Sequence, residues 1–226
     1  MRISELSKRS GIPIPTIKYY LREGILPAGE ATKANQASYG DDHVARLRLI
    51  RALIEVGGLS VASTKDVLEA ADAPGLPLGW VFGAAQNAIS QPDLHARPVS
   101  DAGRERIDEL IERRGWRVTG DNPWRVGAAG VVDSFTATGH PELLDLVDDY
   151  AAAAEIVARA DLRAVARHPD VASMASTVVV GTVLGDAMFA ALRRIAQEHA
   201  TFEQFPAPES DDPFGRTTAT PDRRTP

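Results

Sequence analysis

Four side chains within one short stretch could do chemistry together. In "IPIPTIKYYLREG", residues 12–24, Pro15, Lys18, Tyr19 and Arg22 fall on one side of a 3.6-residue wheel. Ile14, Ile17, Tyr20, Leu21 and Gly24 fall on the other. Two cations and a phenol on one helical strip can contact phosphates by charge and hydroxyl, and can meet base edges in a groove. The same strip would also suit a helix that merely presents a solvated face, the commoner fate of an amphipathic helix. Tyr20, on the apolar side, is expected in the core, so that Tyr20→Ala should cost roughly 3 kcal/mol.

Little else in the chain offers reactive chemistry. There are no cysteines, which removes disulfides, Cys-ligated zinc and thiol redox sensing. His43, His95, His140, His168 and His199 are too scattered for a recognisable metal-ligand set. No G-x-S-x-G, phosphate loop or H-E-x-x-H occurs, and Asp145, Asp148 and Asp149 are expected on a solvated helix side. The reading is of a protein that is not an enzyme and carries no cofactor or metal.

Charge supports the polyanion reading once it is divided. The 226 residues carry a net −6, but residues 1–65 hold 10 Lys/Arg against 6 Asp/Glu, while residues 66–226 hold 15 against 25. All four lysines (Lys8, Lys18, Lys33, Lys65) lie in the first part. A basic N-terminal module on an acidic body suits a protein that holds a polyanion with one end. The start "MRISELSKRSG" lacks an apolar signal region, and Val171 to Leu192 is interrupted by Asp186 and rich in Ser, Thr and Gly. A cytoplasmic protein without a membrane span is expected.

The elements that position the strip follow from caps and periodicity. Ser4 is expected to cap a first helix closed by Gly11, and Gly24 to end the second. "ILPAGEATKANQASYG" reads as a loop or short hairpin. Asp41 is expected to cap a third helix with Val44, Leu47, Ile50 and Ile54 inward, and Ser60 a fourth running through Ala70. Helix, tight "SGIPI" turn, helix and a Gly-rich loop carrying Lys33 make a winged helix-turn-helix layout. Further on, "DAPGLPLG" is a linker by composition, followed by helical patterns at Trp80 to Ile89, Ala102 to Arg114, Val126 to Thr138, Pro141 to Arg167 and Asp170 to about Gln204. Leu143, Leu144, Val147, Tyr150, Ala151 and Ala154 are expected inward. Trp80, Trp116 and Trp124 are expected as core or interface anchors, with an aromatic-lined pocket as the alternative.

Residues 1 to about 71 resemble the DNA-binding domain of the MerR family of bacterial transcription regulators. The resemblance rests on "ISELSKRSGIPIPTIKYYLREGILP", a wing ending in Tyr39, and "DDHVARLRLIRALIEVGGLSVASTKDVL", with "TIKYYLREGILP" the most specific block. It implies a homodimer on a palindromic operator, DNA contacts from Thr16, Lys18, Tyr19 and Arg22 with Pro15 beside them, and Lys33 reaching from the wing. It also implies distortion of the promoter spacer, an indirect relation to RNA polymerase, and a small-molecule effector as a candidate partner, with no effector residue assignable. The family's metal and redox sensors use cysteines, which this chain lacks. Two departures stand out. Ala37 takes a position where many relatives have arginine, so that one phosphate anchor is either missing or supplied by Lys33 or Arg46, and Pro74, Pro77, Pro92 and Pro98 interrupt the long dimerisation helix usual after the fourth helix.

The expected fold is therefore mainly α: an N-terminal winged helix-turn-helix with two further helices and a small wing hairpin, then an all-α C-terminal domain. The expected divisions are 1–73 for DNA binding, 74–124 for linker and connecting helices, 125–204 for effector binding or dimerisation, and 205–226 as a disordered tail. The competing function is a ligand-independent architectural DNA-binding protein, similar to excisionases. Such chains are usually much shorter. A nucleoid-associated location follows from either.

Overall fold

The computed structural model describes residues 1–33, 36–89 and 98–205. The expected tail from residue 206 onward, and the stretch around Pro92 and His95, lie outside the described residues. The chain divides into two units, Met1–Gly185 and Asp186–Pro226. The described elements are α1 (Ile3–Ser10), α2 (Ile14–Glu23), β1 (Glu30–Lys33), β2 (Gln36–Ser38), α3 (Asp41–Glu55), α4 (Val61–Asp72), α5 (Leu78–Ile89), α6 (Asp101–Arg114), α7 (Pro123–Ala137), a 3-10 stretch (Pro141–Leu146), α8 (Val147–Val165) and α9 (Val171–Gln204). The fold is the expected one, a helix-turn-helix with a hairpin wing followed by helices alone.

Several local expectations shift. Arg2, not Ser4, precedes α1, and no side chain caps it. Asp41 is the first residue of α3 rather than its cap, because the Gly40 amide donates to Nδ1 of His43 at 3.1 Å and closes the turn from inside the helix. Ser60 does cap α4, accepting from the Ser63 amide at 3.0 Å, and the helix continues to Asp72. On α3 the fully buried residue near the end is Leu53, with Ile54 half-buried.

The main core of the first unit gathers Leu6 of α1, Ile17 of α2, Leu47, Ile50 and Leu53 of α3, and Val67 and Leu68 of α4. It does not stop at the fourth helix. Val81 and Ala85 of α5, Val165 of α8, and Val178, Val179 and Val183 of α9 belong to the same cluster. A smaller cluster joins Ile107 of α6 to Ala129 and Val132 of α7. Tyr150 and Ala154 are exposed, contrary to the wheel. The 3-10 stretch before α8 turns at about three residues per turn, so a 3.6-residue phase carried through Pro141 drifts off the true face.

The second unit's described part is the C-terminal half of α9. It leaves Met188, Phe189, Leu192, Ile195 and Phe202 exposed. Helix α9 runs for 34 residues and is long and apolar enough, by length and composition alone, to cross a bilayer, beyond the shorter stretch read from sequence.

Asp133 of α7 ties the smaller cluster together. Its carboxylate accepts from the Ser100 amide at 2.7 Å and the Ser100 hydroxyl at 2.6 Å, while Ser100 itself caps α6 by accepting from the Gly103 amide. These bonds to Ser100, helped by the charge of Arg104, hold the Asp133 carboxyl below its ordinary range. A depressed folded value means the contribution is present above the unfolded carboxylate range and is lost as pH falls through the folded value. Wild type should therefore exceed Asp133→Asn in stability at neutral pH, with the gap closing towards acid in urea unfolding at a series of pH values. A gap constant across that range would contradict the assignment.

Candidate nucleic-acid interface

The turn into α2 is built by two serines. The Ser7 hydroxyl donates to the Ile12 carbonyl at 2.7 Å, and the Ser10 hydroxyl accepts from the Ile12 amide at 3.3 Å, with Ile12 buried beneath them. Pro13 precedes α2 and Pro15 occupies its first turn, where the missing amide costs nothing. At the other end Gly24 adopts φ 78°, a left-handed conformation that favours glycine. Its amide and those of Ile25 and Leu26 return to carbonyls at the end of α2, and both following side chains are almost fully buried. The helix is thus pinned in its middle by Ile17, at 0% exposure, and beyond its end by Ile25 and Leu26.

Its outer strip is the one the wheel drew. Pro15, Lys18 and Arg22 are exposed, and Thr16 and Tyr19 are half-buried. The Arg22 guanidinium lies 5.1 Å from the centre of the Tyr19 ring. Its Nε sits 3.4 Å from Glu23 Oε1, an exposed ion pair worth little in water. Arg22 is therefore held loosely over an aromatic face and remains available to an anion.

Tyr20 departs from expectation. It is half-buried at the edge of the core, its ring 5.9 Å from that of Tyr19. Burial, then the charge of Glu55 and the neighbouring Tyr19, raises its phenol above the ordinary range. A ring that keeps part of its surface in water loses less on truncation than the roughly 3 kcal/mol expected of a core aromatic. Ile17 is the true anchor.

The wing is a two-stranded antiparallel hairpin pairing Glu30 with Ser38 and Lys33 with Gln36, with a register slip between Ala31 and Lys33. The backbone of Lys33 closes β1; its side chain lies outside the described residues. The hairpin is fastened at its base. The Met1 amino group donates to the Tyr39 carbonyl at 2.7 Å, and the Tyr39 amide returns to the Met1 carbonyl. At Gly29 an added Cβ would lie 2.6 Å from the Ser38 carbonyl, so only glycine lets the strands close there.

Arg46 is not a phosphate anchor. Its side chain is 16% exposed and is committed to the Ile25 carbonyl at 3.1 Å and to both carboxylate oxygens of Asp72. Basic residues that the sequence reading passed over lie instead along an open groove between α1 and α3, flanked by Lys8, Arg9, Arg48 and Arg51. Arg9 pairs with Asp41 and Arg51 with Glu55, whereas Lys8 and Arg48 are exposed and make no ion pair among the described residues. The signal was present in the spacing: Arg48 and Arg51 stand three apart on the face of α3 away from Leu47 and Ile50.

Elsewhere, Asp145, Asp148 and Asp149 lie on the solvated side as expected, and Asp148 pairs there with Arg113 and Arg114, which hold its carboxyl below the ordinary range. Trp116 donates from Nε1 to Glu155 at 2.7 Å, while Trp80 is 71% exposed and anchors no core. Among the described residues no group of three or more His, Cys, Asp or Glu side chains could hold a metal ion.

A tight helix-turn-helix, a hairpin wing fastened to its first residue, and a cationic strip on the second helix define a winged helix-turn-helix protein. Residues 1–71 match the MerR HTH family regulatory protein model. Over 68 residues the chain is 35% identical to heavy metal-dependent transcription regulator 2 of Rhizobium meliloti (strain 1021), covering 30% of this chain and 46% of that protein. Over 56 residues it is 38% identical to the mercuric resistance operon regulatory protein of Bacillus cereus, covering 25% of this chain and 42% of that protein. The matches thus span under half the length of these curated relatives. The likeness to a solved structure runs further. The proposed transcriptional regulator SCO5550 from Streptomyces coelicolor A3(2) is 32% identical with a TM-score of 0.65, over 92% of this chain and 99% of that one. The chain belongs to the MerR family of transcription regulators.

The two faces of α2 should separate in unfolding experiments. Ile17→Ala should cost about 2–5 kcal/mol, as other buried large-to-small changes do. Arg22→Ala and Lys18→Ala should stay within about 0.5 kcal/mol of wild type. Comparable losses in all three would contradict the assignment of faces.

Proposed function

We propose that this MerR-type regulator binds a palindromic promoter operator as a homodimer, with Pro15, Thr16, Lys18, Tyr19 and Arg22 of α2 facing the major groove and Lys33 of the wing on the backbone. The observation that carries the reading is the exposed Lys18–Arg22 strip, held rigidly by Ile17 beneath it. Bound this way, the protein would act by distorting the promoter spacer, reaching RNA polymerase through the shape of the DNA rather than by direct contact. The functional division follows the sequence reading: residues 1–73 hold DNA, 74–124 connect, and 125–204 serve dimerisation and signal response. The protein would work in the cytoplasm, on the nucleoid.

Dimerisation has its own support in α9. Met188, Leu192, Ile195 and Phe202 are exposed and follow the alternating spacing of a coiled-coil seam, with His199 at the intervening position. So regular an apolar row on a solvent-facing helix favours a second copy as its cover. The prolines that interrupt the region after α4 need not prevent dimerisation if the seam lies here.

Two measurements test this. A footprint of the purified chain upstream of its own gene should show one symmetric protected patch. Arg22→Ala should weaken that site by about 1–3 kcal/mol without altering stability. Diffuse protection would favour an architectural DNA-binding protein instead. For the seam, light scattering should find two chains in the wild type and one in Leu192→Glu/Ile195→Glu. A dimer that survives both substitutions would place the interface elsewhere.

A further inference from the structure

A cavity of about 380 Å³ opens in the first unit where α3, α4, the turn after α4, α5 and the first turns of α9 meet. Its walls are mostly apolar: Leu49, Leu68, Leu76, Val81 and Val179. Its size sits at the small end of the range of about 300–1,000 Å³ found for ligand pockets. Among the described residues on the wall, the one cation, Arg46, and the one anion, Asp72, are bonded to each other through both carboxylate oxygens.

That pair selects the ligand. Of the five N–H groups on the Arg46 guanidinium, one goes to the Ile25 carbonyl and two to Asp72, which leaves two to donate. An anionic ligand would meet the Asp72 carboxylate beside those donors, and a cationic one would meet the guanidinium. An uncharged molecule with one hydrogen-bond acceptor meets neither objection. Apolar rings or chains suit the Leu and Val walls, and a carbonyl suits the remaining guanidinium N–H groups.

We infer that this cavity is an effector site for a compact, uncharged, largely apolar molecule bearing a single acceptor such as a carbonyl. It couples to DNA through Arg46, a link that rests on the proposed DNA-binding function. Arg46, which lines the cavity, also holds through its Nε the carbonyl of Ile25, the residue that follows the Gly24 stop of α2. A ligand that draws Arg46 towards itself acts directly on the anchorage of the helix that carries Lys18 and Arg22. The site lies beside the DNA-binding helices, and α9 closes one side of it with Val171, Ala172, Ala175 and Val179 from the region where the sequence would place a sensor.

The test uses benzophenone, two rings about one carbonyl, with the full-length protein and no DNA. Calorimetric titration should show saturable binding to one site per chain, with a raised melting temperature. Diphenylmethane, which lacks the acceptor, should bind about tenfold more weakly, the worth of a hydrogen bond to a charged group. 4-Benzoylbenzoate, which adds a carboxylate, should also bind more weakly than benzophenone. Ala172→Phe places a ring at the exposed rim of the cavity and should abolish binding while leaving the melting temperature of the free protein unchanged. Absence of saturable binding, undiminished binding in Ala172→Phe, or tighter binding of the carboxylate would overturn the site. In a second arm, benzophenone should change operator affinity in the wild type and not in Ala172→Phe. An unchanged affinity in the saturated protein would overturn the coupling alone. Failure to bind any operator would instead strike the DNA-binding reading, while the titration without DNA still decides the site.

Discussion

Burial of Ile17, Ile25 and Leu26 is the contact on which the rest depends. A cationic strip recognises nothing unless its helix is fixed in angle and register, and exposed charges cannot fix it. The three apolar side chains do so, at 1% exposure or less, by tying the middle and the exit of α2 into the core shared with Leu6 and Leu47. Gly24 makes this geometry accessible, since its left-handed turn lets the chain fold back at once. The free energy is spent beneath the helix, and the outward side chains are left unconstrained enough to meet an anion. That division explains why Arg22 is held only by an exposed neighbour and a ring face.

Arg46 extends the same anchorage by a different physics. A guanidinium 16% exposed would be costly if unpaired, and both of its partners are structural: a main-chain carbonyl after α2 and the carboxylate at the end of α4. It therefore locks the two ends of the DNA-binding module to each other. A sequence reading sees only one more basic residue on α3 and counts it towards a phosphate-binding surface. Charge type was legible; commitment to an internal partner was not, because Asp72 lies 26 residues away and Ile25 contributes only backbone.

What could be read from the sequence was what repeats locally. The faces of α2, the ends set by Gly11 and Gly24, the hairpin wing and the cap at Ser60 all follow from short-range rules. The failures share a cause in longer or non-standard geometry. Asp41 is not the cap of α3 because Gly40 holds that position, its amide donating to Nδ1 of His43 one turn in. Tyr150 and Ala154 were turned inward because a 3-10 entry shifts the phase of α8. Tyr20 was assigned to the core because a wheel gives direction and not depth. On the expected strip of α2, Pro15, Lys18 and Arg22 are exposed, while Lys8 and Arg48 flank a groove that forms only when α1 packs on α3.

Helix α9 shows how one periodicity can serve two environments. Ala175, Val178, Val179 and Val183 lie in the same core as the DNA-binding helices, at 3% exposure or less. From Met188 onward the apolar residues continue at the same helical spacing but face water. A helix needs tertiary burial to be stable beyond its intrinsic propensity, and the buried half provides it for the whole rod. The exposed half is then free to carry an apolar row that no other described residues cover. Length and composition would allow such a helix to enter a bilayer, yet its first half is packed into the core. The same covalent element that closes the core around Val179 therefore also leaves Leu192 and Ile195 exposed.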